Sequence, residues 1–119
     1  MKILVVGHSP SAGKKKVSAT FKRLNAWMDA CGIGIYSFTN VSADHVETLR
    51  QAQVDQNLIN IVHGYSAVLS LGGEVARLLE KLNVAYYPLP HPSPRNRKFN
   101  DKSFERRVIS DLQRHLNGV

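Results

Sequence analysis

Ile3-Leu4-Val5-Val6-Gly7 decides how the rest of the chain reads. Four aliphatic residues follow one another with no polar residue alternating between them. A strand with one wet face alternates; a strand covered on both faces does not, so this run suits an inner strand of a parallel sheet. One lysine precedes it, and the run is too short for the apolar core of a signal peptide. Beyond the polar loop Gly7 to Lys16, Val17, Phe21, Leu24, Met28 and Cys31 recur at helical spacing with Trp27 beside them, until Gly32 and Gly34 stop the helix. Ile35 to Thr39 form a second strand ending at Asn40. Val46, Leu49 and Ala52 suggest a short helix. Leu58, Ile59 and Val62 suggest another, which stops near Gly64. Ala67 to Leu71 form a third strand ending at Gly72-Gly73, and Val75, Leu78, Leu79 and Leu82 an amphipathic helix. Val84 to Leu89 form a fourth strand. Phe104, Val108, Ile109, Leu112 and Leu116 form the last helix.

The order β-α-β-α-α-β-α-β-α predicts an α/β fold: a three-layer α/β/α sandwich around a four-stranded parallel sheet. A chain of 119 residues makes one domain, residues 1–119, with one set of packed layers. In such sheets ligands bind outside the carboxyl ends of the strands. Four loops begin there: Gly7 to Lys16, Asn40 to Asp44, Gly72-Gly73, and Pro90 to Lys102.

Charge gathers in two segments that begin in those loops. The net charge is +7. Lys14, Lys15, Lys16, Lys22 and Arg23 form one cluster. Arg95, Arg97, Lys98, Lys102, Arg106 and Arg107 form the other; together they hold 11 of the 16 Lys and Arg residues. Single-sign clusters on one edge favour a polyanionic partner such as a nucleic acid. A solvated basic surface is the bland alternative. No apolar run approaches the roughly 18 residues that span a bilayer, so no membrane partner is expected. Cys31 is the only cysteine, which excludes an internal disulfide, fits a reducing cytoplasm, and suggests a place on the buried side of the first helix. The histidines show no metal-ligand spacing, and neither a metal nor another cofactor is expected. A monomer is the expected state.

Leu89-Pro90-His91-Pro92-Ser93-Pro94-Arg95-Asn96-Arg97-Lys98 places a histidine among three prolines, ahead of a basic run. Proline fixes φ and removes a donor, so this is a stiff loop that holds His91 in one pose. A positioned imidazole serves as hydrogen-bond donor or in acid–base chemistry; a structural histidine is the alternative. Asn40 offers donors and an acceptor to a nucleobase edge, or else closes an Asx turn. Gly7-His8-Ser9-Pro10-Ser11-Ala12-Gly13-Lys14 departs from a nucleotide P-loop: five residues separate the glycines, Lys15 replaces the hydroxyl residue, and Pro10 has no N–H to offer. Its amides, hydroxyls and lysines still suit a phosphate.

Taken together, these residues resemble the uracil-DNA glycosylase superfamily over most of the chain. Val5-Val6-Gly7-His8-Ser9-Pro10-Ser11 is similar to the family's first motif, and Tyr36-Ser37-Phe38-Thr39-Asn40-Val41 to the strand whose asparagine reads the base. The segment from Ala67 to Ala76 resembles the family's strand-helix turn, and His91-Pro92-Ser93-Pro94 its most specific motif. The resemblance implies excision of uracil or a related pyrimidine flipped from DNA. It implies Asn40 as base reader, His91 as the group that stabilises charge on the departing base, and Ser9, with His8 adjacent, near the attacking water. It further implies Phe21 as candidate stacking partner, Arg95 and Asn96 as the wedge, and Ser9, Pro10, Ser11, Ser93 and Pro94 on the DNA backbone. Lys14, Lys15, Lys16, Arg97 and Lys98 would add phosphate contacts. Two positions depart from the family: Ser9 stands where many members carry Asp, Glu or Asn, and Arg95 where a bulky apolar residue is usual. A catalytically silent DNA-binding or protein-interaction module on the same fold is the competing expectation, and a nucleotide or phosphate-ester enzyme built on the Gly7 loop a third.

Overall fold

A computed structural model describes residues 2–8, 19–42, 57–93 and 96–118. The elements are β1 (Ile3–Gly7), α1 (Ala19–Ala30), β2 (Ser37–Asn40), α2 (Asn57–Val62), β3 (Ala67–Leu71), α3 (Gly73–Lys81), β4 (Tyr87–Leu89), a 3-10 turn (Arg97–Asn100) and α4 (Lys102–Asn117). The four strands form one sheet in the order β2-β1-β3-β4, and every pair is parallel. The sequence of β1 explains its place: all five of its residues are buried, and it pairs on both sides, Val6 with Thr39 and Ser70.

Side-chain alternation along the inner strands divides the interior into two cores. Ile3, Val5, Leu69 and Leu71 face Leu24, Trp27 and Met28 of α1 and Val108, Leu112 and Leu116 of α4. Leu4, Val6 and Val68 face Leu58 and Val62 of α2 and Val75 and Leu79 of α3. Among the described residues two helices cover each face, which makes an α/β/α sandwich. No helix among the described residues is long and apolar enough to cross a membrane.

Three boundaries differ from the sequence expectation. β2 starts at Ser37, not Ile35, and Ile35 is 90% exposed. The register Leu4↔Ser37 would set Ile35 against Lys2, which precedes β1, so no ladder partner exists for it. β4 starts at Tyr87, not Val84: the Val84 N–H is used to close α3 on the Leu79 carbonyl at 3.0 Å. Pro88 within β4 is tolerated because β4 is an edge strand. Cys31 lies in the turn after α1, half-buried, rather than on the helix; its Sγ points at the Ile109 carbonyl, and burial pushes its pKa up. The expected helix around Val46 to Ala52 lies outside the described residues, as does Val17.

Candidate functional site

The sheet changes direction between β1 and β3. From β1 the chain goes to one neighbour, β2, and later returns to the other, β3. The crevice outside the carboxyl ends at that switch point is the usual ligand site of open parallel sheets. His8 follows the end of β1, and Gly72 the end of β3. The β2 chain continues past its end to hold β1 in place: Val41 N–H donates to the Gly7 carbonyl at 2.9 Å, and Ser42 N–H to that of His8 at 3.1 Å.

Asn40 ends β2 opposite Gly7 and leans over it. A Cβ placed on Gly7 would lie 2.8 Å from Asn40 Oδ1 and 2.7 Å from Phe38 Cζ. Only a residue without a side chain lets the amide and the ring come so close. Phe38 packs against Phe21 with ring centroids 4.9 Å apart, which puts the candidate stacking residue one ring away from Asn40.

His91 leaves β4 and leans the opposite way, over Gly72. A Cβ there would lie 3.4 Å from His91 Cβ and 3.5 Å from Cδ2. Gly72 adopts φ 85°, ψ 163°, a region that only glycine enters at low cost, and its N–H donates to the Leu89 carbonyl at 2.9 Å. His91 as a residue remains exposed, yet one side of its ring is packed on this turn. That burial, and next the neighbouring His8, lower its pKa below the ordinary 6.5.

The proline loop sets the tautomer. Ser93 N–H donates to Nδ1 of His91 at 3.2 Å. A backbone N–H can only donate, so Nδ1 is the acceptor and the proton of the neutral ring is on Nε2. Asn96 closes the same loop: its Nδ2 donates to the His91 carbonyl at 3.2 Å, and its Oδ1 accepts from Lys98 N–H at 3.2 Å. Both ends of this amide are engaged inside the loop, so Asn96 shapes the loop rather than projecting from it as a wedge. The chain then enters the 3-10 turn, which Phe99 pins down through contacts with Trp27 at 5.8 Å, Phe104 at 5.4 Å and the Arg23 guanidinium at 4.2 Å. Arg97 and Lys98 stay exposed on this anchored turn and line an open groove with Arg107 and Asp101.

Two residues that the sequence reading passed over belong to the site. Glu74, in the first turn of α3, accepts a bond on Oε2 from His8 Nε2 at 2.8 Å. An Arg77 guanidinium nitrogen lies 3.5 Å from where a Cβ on Gly73 would be, folding a cation back toward the same turn. The only available signal was position: a carboxylate directly after a strand-ending Gly-Gly opens onto the carboxyl edge. The fold therefore brings His8, Asn40, His91, Ser93 and Phe21 to one edge. Ser9, Pro10, Ser11, Lys14, Lys15, Lys16, Pro94 and Arg95 lie outside the described residues. Among the described residues, no group of three or more His, Cys, Asp or Glu side chains is arranged to hold a metal. No family model, curated protein or solved structure matches the chain.

Proposed function

We propose that the protein is a monofunctional DNA glycosylase that removes uracil or a related pyrimidine and leaves an abasic site. The observation that carries this reading is the convergence of Asn40 and His91 from opposite sheet edges onto the ends of two adjacent strands, over Gly7 and Gly72. A carboxamide supplies a donor and an acceptor to the pyrimidine edge. As the C1′–N1 bond breaks, its electron pair moves onto the departing ring and negative charge grows on O2. The Nε2–H of neutral His91 is the matching donor, and a preorganised donor of this kind is worth about 100- to 1000-fold in rate. A ring with a lowered pKa stays neutral at pH 7, so it donates a hydrogen bond without becoming an acid. The basic run at Arg97 and Lys98 provides phosphate contacts that hold the strand.

The test uses single- and double-stranded oligonucleotides carrying one uracil, with alkaline cleavage of abasic sites after incubation. Strand breaks that disappear in His91→Ala and Asn40→Ala are the expected result. DNA retained without breaks overturns excision in favour of a silent binding module. Nucleotide binding that ignores salt, with no affinity for DNA, favours the phosphate-ester reading instead.

A further inference from the structure

A base-excising site needs a group that accepts the proton of the attacking water, and Ser9 in the first motif is a poor base at neutral pH. The fold supplies a different group. His8 and Glu74 are 66 residues apart in the chain and meet at 2.8 Å across the gap between the ends of β1 and β3. Their side chains are 22% and 39% exposed, so the pair is within reach of solvent yet held by the fold. An ionised carboxylate only accepts, which assigns the ring proton of His8 to Nε2 and makes Nδ1 the basic nitrogen. Glu74 lies in the first turn of α3, where the helix dipole favours a negative charge. His8 follows β1, and His91 packs on Gly72 at the end of the adjacent β3, so both imidazoles stand at the ends of neighbouring strands.

We propose that Glu74 and His8 form the water-activating dyad of this site. His8 takes the proton, while Glu74 is a positioning residue that orients the imidazole and compensates the charge it gains. The proposal rests on the glycosylase reading. In the step, the water oxygen bonds to C1′ and the C1′–N1 bond breaks, its electron pair leaving on the pyrimidine. The water proton passes to His8 Nδ1 and later neutralises the pyrimidine anion. The products are the C1′ hydroxyl of an abasic site and the free base, and no further reactant is needed.

The test is single-turnover base release from a single-stranded oligonucleotide carrying one uracil, with DNA affinity and thermal stability measured on the same samples. His8→Gln is expected to slow release about 100-fold, within the range of a lost general base. Glu74→Gln is expected to slow it about 10-fold, with DNA affinity unchanged. The double variant is expected to be no slower than His8→Gln alone, because groups acting as a unit are not additive. Formate at high concentration should restore release in Glu74→Ala but not in His8→Gln; a folding defect would not respond to formate. Release at the wild-type rate in Glu74→Gln, or strictly additive losses, overturns the dyad and leaves the glycosylase reading standing. DNA binding by the wild type with no release overturns both.

Discussion

The imidazole of His91 rests on the backbone of Gly72, with a hypothetical Cβ there only 3.4 Å from His91 Cβ. Gly72 also holds φ at 85°. The obstacle to Gly72→Ala is therefore the strained backbone, while the new methyl would touch the His91 side chain at ordinary packing distance. We expect a loss of about 1–3 kcal/mol in stability, the usual cost of a non-glycine residue in such a conformation. Urea unfolding measures it, and an unchanged midpoint would show that the turn relaxes freely.

Gly7→Ala should act on function more than on the fold. The new methyl would meet Asn40 Oδ1 at 2.8 Å and the Phe38 ring at 2.7 Å, so both must move. The Asn40 amide turns away from the crevice end of β1. Base release is expected to fall at least about 10-fold, in line with the sensitivity of catalysis to small misplacements. Retention of full activity would separate Asn40 from the reaction.

Protonation of His91 should destabilise the protein. Its folded pKa is lowered below 6.5, by burial first and by His8 second, so between that lowered value and 6.5 the unfolded chain binds a proton that the folded chain does not. Stability is therefore complete above this window and is lost as the pH falls through it. The protonated ring would also turn an N–H toward the Ser93 N–H that now donates to Nδ1. Urea midpoints taken from neutrality down to about pH 5 should fall more steeply for wild type than for His91→Gln. Parallel curves would refute the assignment.

Glu105 holds together the face of α1 that meets α4. Its Oε1 accepts the indole N–H of fully buried Trp27 at 2.9 Å and lies 3.3 Å from Arg23 Nε. Glu105→Ala leaves that indole donor unpaired and is expected to cost about 1–3 kcal/mol. Trp27→Phe removes the same donor, so the double variant should lose less than the two single losses together. Calorimetric or urea stabilities of the three variants check the coupling.

Arg97 and Lys98 should contribute to DNA affinity without regard to sequence. Each is exposed on a turn anchored by Phe99. Replacing either by alanine is expected to weaken binding to all oligonucleotides alike, and to reduce the slope of log affinity against log salt by about 1. Fluorescence anisotropy across a salt series measures this. An unaltered slope would place the phosphate path elsewhere on the molecule.

The continuous aliphatic run of β1 and the five-residue run of β3 were legible because strands buried on both faces carry no polar residues. The helices were legible for the complementary reason: Val75 and Leu79, or Val108, Leu112 and Leu116, repeat at the helical period. The edges were harder to read. Ile35 is as apolar as any core residue, but strand pairing is set by the length of the neighbouring strand, which Ile35 does not know. Val84 looks like strand, but it is recruited to cap α3. That Asn40 and His91 stand at the same end of the sheet could be inferred from their loops, whereas the hydrogen bonds by which Asn96 braces its loop could not.

By itself the sequence determined the layers, the parallel sheet and the edge on which the chemistry-bearing loops gather, since hydrophobic period and the alternation of strands and helices are read along the chain. Only the tertiary structure decided that His8 meets Glu74, that Ser93 selects the His91 tautomer, and that Asn40 and His91 each fold over a glycine. The Ser93–His91 bond joins residues two apart and depends on the conformation of its loop; the others depend on distances of a few ångströms between residues far apart in the chain, and such distances exist only once the sheet has set its strands side by side.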